Sequence, residues 1–135
     1  MMYGLYREDP ATKKITDRNI SRTVRELRSN PAKGNILVFE QERALIGYAI
    51  LIFYWSNEYG GDILHVDELY VKPEHRGRGI ATCLFKQLLK AKYGAVALQL
   101  EVTPRNTRAM RYYCKKGFRK SRNDHLILTV ARKVR

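Results

Sequence analysis

The sequence predicts one mixed α/β domain, a layer of sheet with helices on its faces, spanning residues 1–135. Three observations carry this. Apolar segments in the second half of the chain run strand, helix, strand, helix, strand. A glycine-containing loop, Arg76-Gly77-Arg78-Gly79, stands between a strand pattern and an amphipathic helix pattern. The chain has 135 residues, 44% of them hydrophobic and 29% charged, which suits one compact domain with a real core.

The elements follow in order. Asp17 to Ser29 reads as a helix, with Ile20, Val24 and Leu27 at helical spacing. Asn30-Pro31 ends it, and Lys33-Gly34-Asn35 makes a turn. Ile36 to Glu40 reads as a strand, and Gln41-Glu42-Arg43 turns into a second, Ala44 to Trp55, rich in β-branched and aromatic residues. Glu58 to Asp62 is a hairpin loop, and Ile63 to Val71 the next strand. Pro73 to Arg78 is a loop, and Gly79 opens a helix to about Lys92. Ala95 to Val102 reads as a strand and Asn106 to Lys116 as a helix. Gly117 is placed as its left-handed cap, with Phe118 as the hydrophobic contact. Leu126 to Val130 is a last strand.

No apolar run reaches the length of about 18 residues that spans a membrane; the longest, Ala44 to Trp55, is broken by Gly47. The N-terminus lacks the regions of a signal peptide. Cys83 and Cys114 lie far apart, and no Cys/His cluster has zinc spacing. A reducing, cytoplasmic home without a metal is expected, with Cys83 in the core. The net charge is +13 and unevenly spread. From Thr103 to Arg135 eleven basic residues stand against Asp124 alone, whereas Asn57 to Glu74 holds five acids against Lys72. Such asymmetry implies one face for anions and one for cations.

The loop from Glu74 to Ala81 carries the strongest local signal. Glycines there let backbone N–H groups point outward at a helix start, where the helix dipole adds roughly half a positive charge. That combination binds phosphate, and Arg76 and Arg78 add mobile positive charge. A Walker loop is excluded because no Lys-Ser/Thr follows, and a Rossmann fingerprint because the third glycine and the acidic residue downstream are missing.

The segment Val66 to Ala81 resembles the acetyl-CoA motif of GNAT N-acetyltransferases. Their Arg/Gln-x-x-Gly-x-Gly/Ala pattern is met by Arg76, Gly79 and Ala81, with alanine where many members have glycine. Leu100-Glu101-Val102, followed by Asn106, Ala109, Tyr113 and Gly117-Phe118, resembles the family's other block at the same spacings. Together they cover roughly Ile46 to Phe118. The nearest members by motif are the ribosomal-protein N-terminal alanine acetyltransferases and the diamine or polyamine acetyltransferases. The resemblance implies the GNAT fold, a central mixed twisted sheet flanked by helices. It also implies direct transfer of acetyl from acetyl-CoA to a primary amine in a ternary complex. Acetyl-CoA is then expected on Leu69, Tyr70 and Val71, on the loop residues Arg76, Gly77, Arg78, Gly79, Ile80, Ala81 and Thr82, and on Asn106 and Tyr113. Family members open with a strand before their first helices. Here Met1 to Tyr6 looks like the tail of the first helix, so either that strand is lacking or the natural start lies upstream.

Acetyl transfer needs a base for an ammonium of pKa about 10.4 and benefits from an acid for a thiolate whose conjugate acid titrates near about 8.5. Seven helical residues turn about 700°, so Asn106 and Tyr113 fall within about 20° of one face. The resemblance makes Tyr113 the acid, with Asn106 on the pantetheine amides. Two glutamates compete as base. Glu101 points away from the face of Leu98, Leu100 and Val102 and matches the base of the alanine acetyltransferases. Glu68 is expected on the face of Val66 and Tyr70 and matches an acidic position of the polyamine-type enzymes. His65, on the strand face of Asp67, is a lesser candidate, and Trp55 and Tyr59 could wall an acceptor.

The acceptor is expected to be a primary amine, on a small molecule or a protein N-terminus or lysine, drawn to the acidic segment Glu58 to Glu68. The basic last quarter suggests ribosome or RNA contact as well. Two other readings stay open: a basic module associated with nucleic acid or the ribosome, and a catalytically silent acyl-CoA sensor. No membrane partner is expected, and the assembly is either a monomer or a homodimer.

Overall fold

The computed structural model describes residues 1–11, 13–90 and 93–129. They form two compact units, Met1–Thr103 and a second that starts at Pro104. Lys92, Val130, Arg132, Lys133 and Arg135 lie outside the described residues, and with them the expected end of the third helix and of the last strand.

In the first unit, α1 (Met2–Glu8) and α2 (Asp17–Ser29) precede the sheet strands β1 (Gly34–Gln41), β2 (Ala44–Ser56) and β3 (Gly61–Val71). A short 3-10 turn at Pro73–His75 leads to α3 (Ile80–Leu89) and then β4 (Ala97–Leu100). Among the described residues no strand precedes α1. Thr16 starts α2 by accepting the Asn19 N–H on its hydroxyl at 3.2 Å, which satisfies one donor of the open first turn. Glu42 and Arg43 make the two-residue β1–β2 turn, both at positive φ (50° and 65°), as the right-handed strand twist requires.

The sheet order is β1-β2-β3-β4, the first three antiparallel and β4 parallel to β3. Parallel pairing needs a crossover, and α3 supplies it. On one sheet face Tyr48, Ile50 and Tyr70 pack with Leu27 of α2, joined by Met2 and Leu5 of α1. Ala49, Leu51, Leu64 and Val66, all buried, alternate to the other face. α3 follows β3 and buries Leu84, Phe85 and Leu88.

Three expectations about β3, β4 and α3 change. The β2–β3 register shifts at Ile50/Leu51, so that Glu68 faces Ile50 and Val66 faces Leu51, with Asp67 the extra residue of a bulge. Glu68 therefore shares its face with Tyr70 but not with Val66. Pairing of β4 stops at Leu100 opposite Val66, next to this bulge, so Glu101 follows the strand instead of lying in it. Cys83 is exposed because the buried face of α3 falls on Leu84, Phe85 and Leu88.

In the second unit α4 runs Thr107–Lys115. Its C-terminus closes as the sequence predicts. Gly117 takes φ 95° and donates to the Cys114 carbonyl at 3.0 Å, while Phe118 donates to the Tyr113 carbonyl at 3.1 Å. Residues 126–129 are not in a strand, and Leu126, Ile127 and Leu128 are exposed.

Candidate active site

The bulge at Asp67 divides β3. Ile63 to Val66 pair with Ala97 to Leu100. Beyond it, Glu68 to Val71 pair with β2 alone, and among the described residues no strand faces them on the other side. Backbone groups at such an opening can take amide partners from a ligand. This is the stretch expected to meet acetyl-CoA at Leu69, Tyr70 and Val71.

The loop after β3 has the form that phosphate binding requires. Gly77 and Gly79 adopt φ 74° and 79°, and Gly79 is the N-cap of α3. A Cβ on either glycine would meet no atom within 4 Å. Glycine therefore supplies the left-handed backbone there, and the loop surface stays open to a ligand. No side chain caps the helix and no acid lies in its first turn, where N–H groups lack intrahelical acceptors. Ile80, Ala81 and Thr82 form this turn, and Arg78 is exposed beside it. Arg76 is fixed and not mobile. Its Nε donates to the Val71 carbonyl at 2.7 Å, its Nη2 meets Glu8 Oε2 at 2.7 Å, and its guanidinium lies 5.5 Å from the Tyr70 ring centre.

Glu68 is half-buried on the face under α1. Its Oε1 accepts from the Tyr6 hydroxyl at 2.6 Å and its Oε2 from the Tyr48 hydroxyl at 2.7 Å. Both lengths fall within the ordinary range of hydroxyl-to-carboxylate hydrogen bonds. Burial first, then the bond to Glu68, pushes both phenols well above the usual tyrosine value, so each stays a donor across the neutral range. The sequence did not single out Tyr6 or Tyr48 as partners of Glu68. Tyr6 is 62 residues away, and only the strand register reveals Tyr48.

Other candidates fall around this centre. The His65 Nε2 stands 3.6 Å from Asp67 Oδ1, and its buried Nδ1 has no hydrogen-bond partner. Tyr54 donates to Gln99, which pairs with His65 across the ladder. Glu101 is exposed one residue past β4. Trp55 and Tyr59 are exposed near the β2–β3 turn.

In the second unit Asn106 is the N-cap of α4, its Oδ1 accepting the Ala109 N–H at 3.1 Å. Tyr113 is half-buried, its ring 5.3 Å from that of Tyr112 and 5.7 Å from that of Phe118. Burial, with a smaller contribution from Tyr112, pushes its pKa up to about 12. The phenol is thus protonated at any working pH.

Among the described residues no helix is long and apolar enough to cross a membrane, and no group of three or more His, Cys, Asp or Glu could hold a metal ion.

The sequence profile of the Acetyltransferase (GNAT) family matches residues 2–118. An uncharacterized N-acetyltransferase of Mycobacterium tuberculosis is 35% identical over 88 residues, 62% of this chain and 52% of that protein. The thialysine N-epsilon-acetyltransferase of Bos taurus is 35% identical over 75 residues, 54% of this chain and 44% of that protein. The chain thus spans about half the length of the curated relatives it matches. The crystal structure of a possible acetyltransferase from Clostridium difficile 630 superimposes with a TM-score of 0.80 at 22% identity, over 97% of this chain and 88% of that one. At that identity the likeness carries the fold.

Proposed function

The chain belongs to the GNAT acetyltransferase family, and on that premise we propose that it is an N-acetyltransferase that moves acetyl from acetyl-CoA to a primary amine by direct attack. The family match crosses from the first unit into the second, which supports reading residues 1–135 as one catalytic domain. The observation that carries the reading is the ordered carboxylate of Glu68, held by two phenols beside the point where β4 leaves β3.

The residues present fit acetyl-CoA. The open glycine loop and the first turn of α3 suit its pyrophosphate, with Arg76, Arg78, Ile80, Ala81 and Thr82 around it. The free side of Leu69 to Val71 suits its amides, and the sequence resemblance adds Asn106. Bound there, the cosubstrate supplies an activated acetyl group as a thioester. Glu68 receives the proton of the ammonium, directly or through a water, so that the nitrogen can form its bond to the acetyl carbon. By the sequence resemblance, the Tyr113 hydroxyl donates a hydrogen bond to the sulfur as the carbon–sulfur bond breaks, and the thiolate then takes its proton from solvent. A phenol near 12 is a weaker acid than a thiol near about 8.5, so it assists by hydrogen bonding as charge develops. Glu101, exposed past β4, is the alternative base.

One observation supports a further partner. Arg105, Arg108, Arg111, Lys115, Lys116, Arg119, Lys120 and Arg122 of the second unit are all exposed. We read them as a surface for a larger polyanion such as ribosomal RNA. Retention of ribosomes that falls steeply with salt would support it, and no retention at low salt would remove it. The free state of both cysteines supports a cytoplasmic setting.

An acceptor screen tests the main reading: acetyl-CoA with amino acids, peptides, aminoglycosides and simple amines, following released thiol. Amine-dependent release supports it. Failure to bind acetyl-CoA by calorimetry would sink it.

A further inference from the structure

β4 runs parallel to β3, and their pairing extends from Ile63 opposite Ala97 to Val66 opposite Leu100. Continued in that register, Thr103 would fall opposite Leu69 and close the free side of β3. Its hydroxyl donates instead to Asp9 Oδ1 at 2.7 Å, a part-buried bond between residues 94 apart in the chain.

Asp9 is the C-cap of α1, with its own N–H on the Leu5 carbonyl. The rest of that helix is fastened to the opposite side of the opening. Gly4 lays bare backbone against Tyr70, where a Cβ would come within 2.6 Å of the hydroxyl oxygen. Tyr6 donates to Glu68 Oε1, and Glu8 accepts from Arg76 at the start of the phosphate loop. Tyr6 and Asp9 are three residues apart, about 4.5 Å along the axis, a spacing that makes side chains neighbours on one helix face. The last turn of α1 therefore bridges the opening, with Glu68 and Tyr70 on one side and Thr103 on the other.

We propose that Asp9 and Thr103 are a positioning pair for acetyl-CoA: their bond holds the segment after β4 away from Leu69 to Val71 and keeps the slot for the pantetheine arm open. The proposal rests on the reading that acetyl-CoA binds at this opening. The arm carries amides, which need backbone partners on β3. A segment from Glu101 to Thr103 that continued the parallel ladder would take those same partners. A hydroxyl bonded to a carboxylate is among the stronger single hydrogen bonds of a fold, so its loss should be felt in the slot it holds open.

The test measures the affinity of two ligands by calorimetry: acetyl-CoA, and the phosphorylated adenosine diphosphate half of CoA, which lacks the pantetheine arm. Thr103→Val keeps the side-chain shape and removes the donor. It should weaken acetyl-CoA binding about tenfold and leave the nucleotide half within about twofold of the wild type. Thr103→Ser keeps the donor and should stay within about twofold for both ligands. Asp9→Ala, on the other element, should match Thr103→Val, and the double variant should be no weaker than either, because all three break one bond. Unchanged acetyl-CoA affinity in Thr103→Val and Asp9→Ala overturns the proposal and leaves the acetyltransferase reading standing. Equal weakening of both ligands also overturns it, because the damage is then not confined to the slot. Failure of the wild type itself to bind acetyl-CoA sinks the cosubstrate reading, and the proposal with it.

Discussion

The Tyr48 hydroxyl donates to Glu68 Oε2 across 2.7 Å, from a side chain that is 2% exposed. The two residues are not direct partners in the β2–β3 ladder. Tyr48 faces Tyr70 and Glu68 faces Ile50, so the bond is a diagonal one between strands, within reach of a long aromatic side chain. Tyr6 completes the clamp from α1. The strand and the helix thus both fix the carboxylate.

This clamp makes alkaline stability a readout. An unfolded tyrosine ionises near about 10, and Tyr6 and Tyr48 ionise higher in the fold, through burial first and then the bond to Glu68. The native state keeps protons there that the unfolded state loses. The stabilisation is therefore full below pH about 10 and is lost as pH rises above it. The Tm should fall more steeply above pH 10 in the wild type than in a Tyr6→Phe/Tyr48→Phe double variant. Equal slopes would count against the clamp.

The phosphate loop depends on two left-handed residues. Forcing a side chain there costs roughly 1–2 kcal/mol per residue and covers the open backbone. Gly77→Val with Gly79→Val should weaken acetyl-CoA binding at least about tenfold. Unchanged calorimetric affinity in the folded double variant would remove the loop from the site.

Glu8 pairs with the Arg76 guanidinium at 2.7 Å, a cation that a bound phosphate would also attract. The pair is partly exposed, with side-chain exposures of 27% for Arg76 and 43% for Glu8, and such pairs contribute about 0.2–1 kcal/mol. Glu8→Gln should therefore tighten acetyl-CoA binding by up to about fivefold, most clearly at low salt. Weaker binding would mean that Glu8 positions Arg76 for the ligand instead of holding it back.

Tyr113→Phe should lower kcat about 100-fold with little change in acetyl-CoA affinity, since the ring packing against Tyr112 and Phe118 is kept. A kcat within about threefold of the wild type would return Tyr113 to a packing role.

Local chemistry was legible in the sequence, and long-range geometry was not. Gly77, Gly79 and Gly117 announced their turns because only a few residue types tolerate positive φ. The helix α2 announced itself through Ile20, Val24 and Leu27. The bulge at Asp67 has no such signature, because an extra residue in a strand changes register without changing composition. Simple alternation therefore places Val66 on the face of Glu68, whereas the bulge separates them, and β4 pairing ends beside it at Leu100. Tyr6 and Tyr48 escaped notice as partners of Glu68 because their roles come from register and helix docking. The strand expected over Leu126 to Val130 is not formed at residues 126–129, where Leu126, Ile127 and Leu128 stay exposed and a lone strand without a partner is not stable.

In the proposed reaction Glu68 takes the proton of the acceptor amine. The direct measurement is kcat/KM against pH for the wild type, Glu68→Gln and Glu101→Gln with one amine acceptor. Glu68→Gln should lower kcat/KM about 100-fold or more near neutral pH. That loss should shrink as pH nears the amine's own pKa of about 10.4, where the nucleophile is already free. Glu101→Gln should stay within about threefold of the wild type throughout. The reverse pattern, with Glu101→Gln showing the neutral-pH loss and Glu68→Gln keeping the wild-type profile, would contradict it.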